Sequence, residues 1–538
     1  MILTMAFIAV VMIVCTLMGK VSGKTGIPML LIFMLLGMLF GEDGPFGIRF
    51  EDFSFSEQIS TVCLVFIMFY GGFGTNWKEG KKVAVKAGLL SSIGTILTAG
   101  LTGLFCYFVL GITLLEGLLI GSVIASTDAA TVFFILRSKK LNLKSGTAPL
   151  LELESGSNDP WSYMLTIIVL ELMQTSGGAG IEAAAFVELI LKQVLIGAAL
   201  GAAIAYISTL MFKNVELTGI SSVLMVGIAL IGYAAPSLLG GNGYLSVYII
   251  GIVLGNIQIA EKRTLVHFFD GVTGFLQIVL FFLLGFLATP TEIPSVLGVA
   301  VLIMLFLTFV ARPIAVTAVL APFKTSLRQL SVMWFAGFRG AASIAFAILI
   351  HISVVQTQYD VFHLTFVIVL LSIATQGALL PWFAKKVGMI SETEDVMKTF
   401  SDYSNETELQ FIATTISASH PWVGKKFRKL EFPPDIRAVM IKRGIERVIP
   451  KGNTEILEDD IIILVGNGYI GSGDIDLTEI IIDKDNEACG KHISELGIPA
   501  NELIVLIKRQ TKNGVTTIVP TGKIFIHEGD VLVLASEG

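Results

Sequence analysis

From residue 2 to 383 the chain alternates long apolar runs with short polar breaks, and beyond Lys385 it changes to charged stretches with short apolar alternations. An apolar run of about 20 residues crosses the hydrocarbon core of a bilayer as a helix. The runs predict thirteen spans, at about 2–18, 26–41, 58–74, 84–110, 113–136, 148–172, 184–211, 217–238, 243–260, 268–288, 296–320, 330–350 and 362–383. The later alternation has a period of two and predicts strands. The expected fold class is a polytopic α-helical membrane protein with a cytoplasmic α+β tail.

Three spans break the apolar pattern. The sixth contains L-L-E-L-E-S-G-S-N-D, which puts Glu154, Asn158 and Asp159 inside or at the mouth of a spanning helix. An Asp near the bilayer centre costs roughly 2.5 to 3.5 kcal/mol on insertion scales, so such residues face a cavity or a partner and mark ion or proton paths. A structural Asp paired with a buried Arg is the alternative for that residue alone. The fifth span is interrupted by Ser126, Thr127 and Asp128, and the twelfth by Arg339 between Gly337 and Gly340. Taken singly, small residues in a span signal close helix packing. If the first six and last six spans are repeats flanking the seventh, however, the two breaks occupy equivalent places. That is the pattern of an inverted-repeat transporter with discontinuous helices at a midplane site.

Apolar residues make up 54% of the chain and charged ones 15%, against about 25% charged in soluble domains. The loops supply an orientation. Lys78, Lys81, Lys82 and Lys86 share one loop, Arg137, Lys139, Lys140 and Lys144 lie two loops later, and Lys385 and Lys386 follow the last span, while intervening loops hold almost no basic residue beyond Arg49. Cytoplasmic loops are rich in Lys and Arg, so the N-terminus is expected outside and the tail in the cytoplasm. The first run has no basic residue before it and reads as a retained span, not a cleaved signal. Cys15, Cys63, Cys106 and Cys489 suggest neither a disulfide framework nor a CxxC metal site. A net charge of −6 leaves no footprint for nucleic acid.

Four segments, E-S-G-S-N-D (154–159), S-T-D (126–128), G-F-R-G-A (337–341) and G-N-G-Y-L-S-V-Y (241–248), resemble the NhaP-like branch of the monovalent cation/proton antiporters, which also holds the animal sodium/proton exchangers. The resemblance covers essentially the whole membrane region. It implies thirteen spans, a homodimer in a bacterial inner membrane, and crossed, partly unwound helices around the ion. It makes Asp159 the carboxylate that alternately takes a cation and a proton, with Ser155 and Thr127 as further oxygen ligands of K+ or Na+. It also has Asn158 and Asp128 brace the crossing and Glu154 and Arg339 form a buried ion pair. Arg312 is a second intramembrane cation, which snorkelling to the cytoplasmic face would equally explain. Many relatives carry an acidic residue before a Gly-Gly pair in the third span; here Tyr70 stands there and offers a hydroxyl in place of a charge.

The chemistry agrees with these roles. Ser155 and Asp159 lie four apart, on one helical face. A dehydrated carboxylate holds a proton tightly enough to compete with a metal cation near neutral pH, and alkali cations prefer hard oxygen ligands. With the neutral Asn158 before Asp159, one cation charge replaces one proton charge, and electroneutral exchange is expected.

The tail contains an internal repeat. Gly424-Lys425 matches Gly490-Lys491, Ile441-Lys442-Arg443 matches Ile507-Lys508-Arg509, and Pro450 with Gly452 matches Pro520 with Gly522. Extra residues around Lys512 in the second copy predict a longer hairpin turn, and a short helix is expected near Val423 and near Ala488. The expected domains are a membrane unit over 1–386, a linker over 387–406, lobes over 407–466 and 477–538, and a second linker over 467–476. Both copies resemble the TrkA-C lobes of RCK (regulator of potassium conductance) domains. That implies a small regulatory ligand somewhere in 407–538, with cyclic di-AMP the first candidate and an adenine nucleotide the second. G-N-G-Y-I-G at 466–471 lacks the helix of a dinucleotide fingerprint, and G-K-V-S-G-K-T at 19–25 is too short for a phosphate-binding loop.

The sequence thus points to a transporter and not an enzyme, without a cofactor of its own, exchanging K+ for protons, with Na+ as the alternative cation. A channel governed by the RCK-like tail is the reading from another class, but no selectivity-filter sequence appears.

Overall fold

The computed structural model describes residues 2–537 except 26–27, 129–130, 133–141, 176–182, 215–218, 260–261, 354, 392–408 and short tail stretches, chiefly 433–435, 468–474 and 497–501. Arg137, Lys139 and Lys140, most of both expected linkers and the turn at Lys512 lie outside the described residues. The chain divides into two compact units, Met1–Tyr403 and Ser404–Gly538.

Among the described residues of the first unit, seven helices are long and apolar enough to cross a membrane, from Phe53–Gly74 to Val361–Lys386. Five more are apolar but shorter: Met5–Lys20, Met29–Phe40, Leu114–Val123, Gly243–Gly255 and Ala341–His351. With the charged helix Thr147–Thr175 they fall on the predicted spans. Two of the short helices are halves of interrupted spans. Leu114–Val123 gives way to non-helical chain through Asp128, and Ala341–His351 follows the half-helix Leu327–Phe335 across a break.

Local chemistry sets these boundaries. Asp52, Asn242 and Ser326 each accept a hydrogen bond from the backbone N–H three residues on, which satisfies an otherwise orphaned donor at the helix start. The span Ile293–Phe323 passes through a π turn, Leu307–Ala311, directly before Arg312-Pro313. Pro313 has no N–H for the helical ladder and its ring would crowd the Phe309 carbonyl, which the wider turn relieves. Glycines let backbones touch where helices cross. A Cβ on Gly285 would stand 2.1 Å from the Met34 carbonyl oxygen, and one on Gly251 would stand 2.4 Å from that of Phe69.

Also in this unit, β1 (Asn142–Leu143) pairs antiparallel with β2 (Ile390–Ser391).

The second unit holds two four-stranded antiparallel sheets. The first comprises β3 (Leu409–Thr415), β4 (Arg437–Arg443), β5 (Glu446–Val448) and β6 (Ile461–Asn467); the second comprises β7 (Ile475–Ile481), β8 (Glu502–Thr511), β9 (Gly514–Ile518) and β10 (Val531–Glu537). Their orders, β3-β6-β4-β5 and β7-β10-β8-β9, are the same topology. Equivalent residues do equivalent work. Ile416, Ile441 and Ile456 centre one core, and Ile482, Ile507 and Ile526 the other. Arg443 grips Asp460 through Nε and Nη2, both at 2.8 Å, and Arg509 grips Asp530 at 2.8 and 2.6 Å. The short helix expected near Val423 and Ala488 is only a 3-10 turn, at Phe427–Lys429 and Ile493–Glu495. Gly424 and Gly490, at φ of +73° and +80°, turn the chain left-handed where that helix would begin.

Candidate functional site

The two broken spans meet. The Asp128 N–H donates to the Phe338 carbonyl at 2.9 Å, and a Cβ on Gly340 would stand 2.5 Å from that of Asp128. Only glycine lets the two chains cross so closely. Asp128 then caps the chain beyond its own break, accepting from the Thr131 hydroxyl at 2.5 Å and the Thr131 N–H at 3.4 Å.

Helix Thr147–Thr175 lies against this crossing and holds Thr127 from three sides. The Ser155 hydroxyl donates to the Thr127 carbonyl, the Thr127 hydroxyl donates to Ser155 Oγ at 3.0 Å, and Asn158 Nδ2 donates to Thr127 Oγ1 at 2.6 Å. Asn158 Oδ1 accepts from the Thr127 N–H at 3.2 Å, so this side chain satisfies both polar ends of the unwound residue. Pro160, inside the same helix, leaves the Gly156 carbonyl without its usual helical donor.

Asp159 faces the space that remains. Its Oδ1 is buried and has no hydrogen-bond partner among the described residues. The carboxylate opens on a cavity of about 40 Å³ lined by Ser126, Thr127, Asp128 and Gln277, with Leu64, Ile67, Phe281 and Gly340–Ala342 closing it. A water needs about 10–15 Å³ of such space, so the cavity has room for a small cation that keeps a water or two.

The predicted site residues do not all share the cavity. Asp159, Thr127 and Asp128 line the cavity, whereas Ser155 and Asn158 stand behind Thr127 and hold it. Glu154 is buried, but its partner is not the one expected. Arg312 Nη2 donates to Glu154 Oε2 at 2.9 Å, with both side chains at most 2% exposed, so Arg312 does not snorkel. Arg339 instead donates through Nη1 to the Ala125 and Ser126 carbonyls at 2.7 and 2.8 Å. The reason is the break itself: the non-helical chain after Leu114–Val123 leaves the Ala125 and Ser126 carbonyls with no helical N–H to take them, and a cation answers both their lone pairs and the negative helix end. Tyr70 lies outside the cavity lining, and its hydroxyl donates to Asp270 Oδ1 at 3.2 Å on helix Lys262–Leu287.

Gln277 is a polar lining residue that the sequence did not point to. It is a lone amide in an apolar stretch, F-L-Q-I-V-L, and a search guided by charge passes over neutral polar residues.

Comparison with known proteins follows the same lines. Residues 8–386 match the family described as sodium/hydrogen exchanger, transmembrane, and residues 412–468 match the TrkA-C domain. The chain is 32% identical over 460 residues to the K(+)/H(+) antiporter NhaP2 of Shewanella baltica, covering 84% of this chain and 79% of that one. It is 32% identical over 471 residues to the K(+)/H(+) antiporter NhaP of Alkalimonas amylolytica, covering 86% and 81%. Its fold is similar to that of the sodium proton antiporter MjNhaP1 from Methanocaldococcus jannaschii at pH 8, with a TM-score of 0.62 at 22% identity over 70% of this chain and 99% of that one.

Proposed function

Because the chain belongs to the sodium/hydrogen exchanger family, we propose that it moves K+ one way across the membrane and a proton the other, one for one, at the cavity beside Asp159. The observation that carries this reading is Asp159 itself: an acidic side chain in a spanning helix, with a buried oxygen that no described residue bonds, opening on a cavity lined by hydroxyls and an amide. Ionised, it takes a partly dehydrated cation, with Thr127 offering a further oxygen; Ser155 joins if its hydroxyl turns away from the Thr127 carbonyl. Protonated, it releases the cation. The neighbouring Asn158 is neutral and Asp128 is engaged by Thr131, which leaves Asp159 to exchange one charge for one charge.

K+ is favoured because relatives 32% identical over most of the chain are named K(+)/H(+) antiporters. Na+ is the second reading, supported by a 22% match to the Na(+)/H(+) antiporter ApNhaP of Aphanothece halophytica. The protein works as a homodimer in a bacterial inner membrane, with its N-terminus outside. Its tail, in the cytoplasm, binds a small ligand within residues 407–538, cyclic di-AMP first and an adenine nucleotide second. A ligand there acts through its different affinities for the tail's conformations.

Proteoliposomes with an imposed pH gradient test the transport reading. Added K+ should dissipate the gradient equally at zero and at imposed membrane voltage. A response to Na+ alone would replace the cation, and a voltage-driven cation flux without proton movement would make the protein a channel.

A further inference from the structure

The last described residues before the tail are tied to the turn that opens the site helix Thr147–Thr175. In the ribbon, Asn142 faces Ser391 and Leu143 faces Ile390. The Lys144 N–H donates to the Met389 carbonyl at 2.9 Å, and Lys144 Nζ donates to the Gly388 carbonyl at 3.2 Å. Only Lys144, Ser145 and Gly146 separate β1 from the helix. They form no slack loop. Ser145 and Gly146 both take a φ of +63°, and the Lys144 carbonyl accepts from the Thr147 hydroxyl at 2.7 Å. A left-handed serine persists only where its surroundings hold it, and here Gln329 Nε2 donates to the Ser145 carbonyl at 3.1 Å.

Gln329 extends the connection. It sits in the first turn of Leu327–Phe335, the half-helix that leads into the break carrying Arg339. Leu143 and Met389 are buried in one apolar cluster with Leu150, Leu151, Val332 and Met333. The ribbon is therefore packed on both elements that build the cation site: the helix with Asp159, and the half-helix before Arg339.

We propose that this ribbon is the element through which the tail controls exchange, an inference that rests on the regulatory role proposed above. β2 holds the last described residues of the membrane unit before the tail, so we infer that a displacement of the tail is passed on through β2. From β2 it reaches the Thr147 end of the site helix across a tight turn. Asp159 lies about 18 Å further along a continuous helix, which moves as one body. A ribbon of two residue pairs is small enough for a tail to make or break, which supplies the two-state element that coupling between distant sites requires.

Initial rates of cation-driven pH-gradient dissipation in proteoliposomes test the proposal with four proteins: the intact chain, the chain ended after Thr393, Ser391→Pro, and both changes together. Proline removes a ladder donor from β2. Ending the chain after Thr393 should change the rate, or the cation concentration for half-maximal rate, by about fivefold or more, the lower end of usual allosteric coupling. Ser391→Pro alone should reproduce that change, and the combination should add nothing. Independent, multiplying effects would overturn the ribbon as the route while leaving tail control standing. A truncation without effect would overturn the regulatory reading, and the ribbon's role with it. If Ser391→Pro fails to fold, Lys144→Ala/Gln329→Ala takes its place, with unchanged hydrogen exchange over 148–172 showing that the site helix is intact.

Discussion

Replacing Arg312 by Gln leaves the Glu154 carboxyl buried without its cation. Both side chains of the pair are at most 2% exposed, and Nη2 lies 2.9 Å from Oε2. Breaking a buried pair by removing one partner costs about 3 to 5 kcal/mol, most of it the uncompensated charge, against about 0.5 to 1.5 kcal/mol for an ordinary hydrogen bond. Glu154→Gln strands Arg312 in the same way. The double substitution Glu154→Gln/Arg312→Gln strands neither, so it should recover part of the loss, a coupling of about 1 to 3 kcal/mol. Arg339 supplies the control. Its guanidinium donates to the Ala125 and Ser126 carbonyls, so Arg339→Gln should destabilise by the loss of two charge-assisted bonds, each about 1.5 to 3 kcal/mol. Combined with Glu154→Gln, its coupling should be much the smaller. Unfolding midpoints of the single and double variants in detergent measure both cycles. Additive losses at Glu154 and Arg312, or a larger coupling at Glu154 and Arg339, would refute the pairing.

Both guanidiniums lie in apolar context in the sequence, and the resemblance to known antiporters chose Arg339 for Glu154. What the sequence cannot contain is the competition between partners. The Ala125 and Ser126 carbonyls, just past Leu114–Val123, become acceptors only once that helix stops and the twelfth span crosses it, and they then claim Arg339. The charged interruptions themselves were plain in the sequence, because a carboxylate inside an apolar run has no cheap explanation. So was the tail repeat, whose matched Arg443 and Arg509 both grip an aspartate. The ribbon was invisible for the opposite reason. Strands of two residues have no periodicity to read, and their pairing joins positions 142 and 391, far apart in the chain. Gln277 was missed because a neutral amide costs too little in a span to stand out.

Asp159→Asn keeps the shape of the site and removes its titrating group, so exchange should vanish while the unfolding midpoint holds; Asn158→Asp should inactivate the protein or make transport voltage-sensitive. Gly340→Ala brings a Cβ to 2.5 Å from that of Asp128 and should force the crossing apart, with loss of exchange in vesicles. Gly271→Ala meets nothing within 4 Å and should transport as the native chain does. In the tail, the Arg443 guanidinium and the Leu457 N–H hold the Asp460 carboxyl below its ordinary value. For Asp530, burial pulls upward, but the Arg509 guanidinium and the His527 N–H outweigh it. A carboxyl depressed in the folded state contributes stability that is present above its unfolded value and lost as pH falls through the folded one. The lobes should therefore keep their hydrogen-exchange protection over Ile461–Asn467 and Val531–Glu537 down to about pH 4 and lose it below. Arg443→Ala leaves Asp460 buried without the cation that depresses it, so protection of Ile461–Asn467 alone should already be weaker at neutral pH and fall less on acidification. Equal failure of both lobes in that variant would show that the two pairs do not act locally.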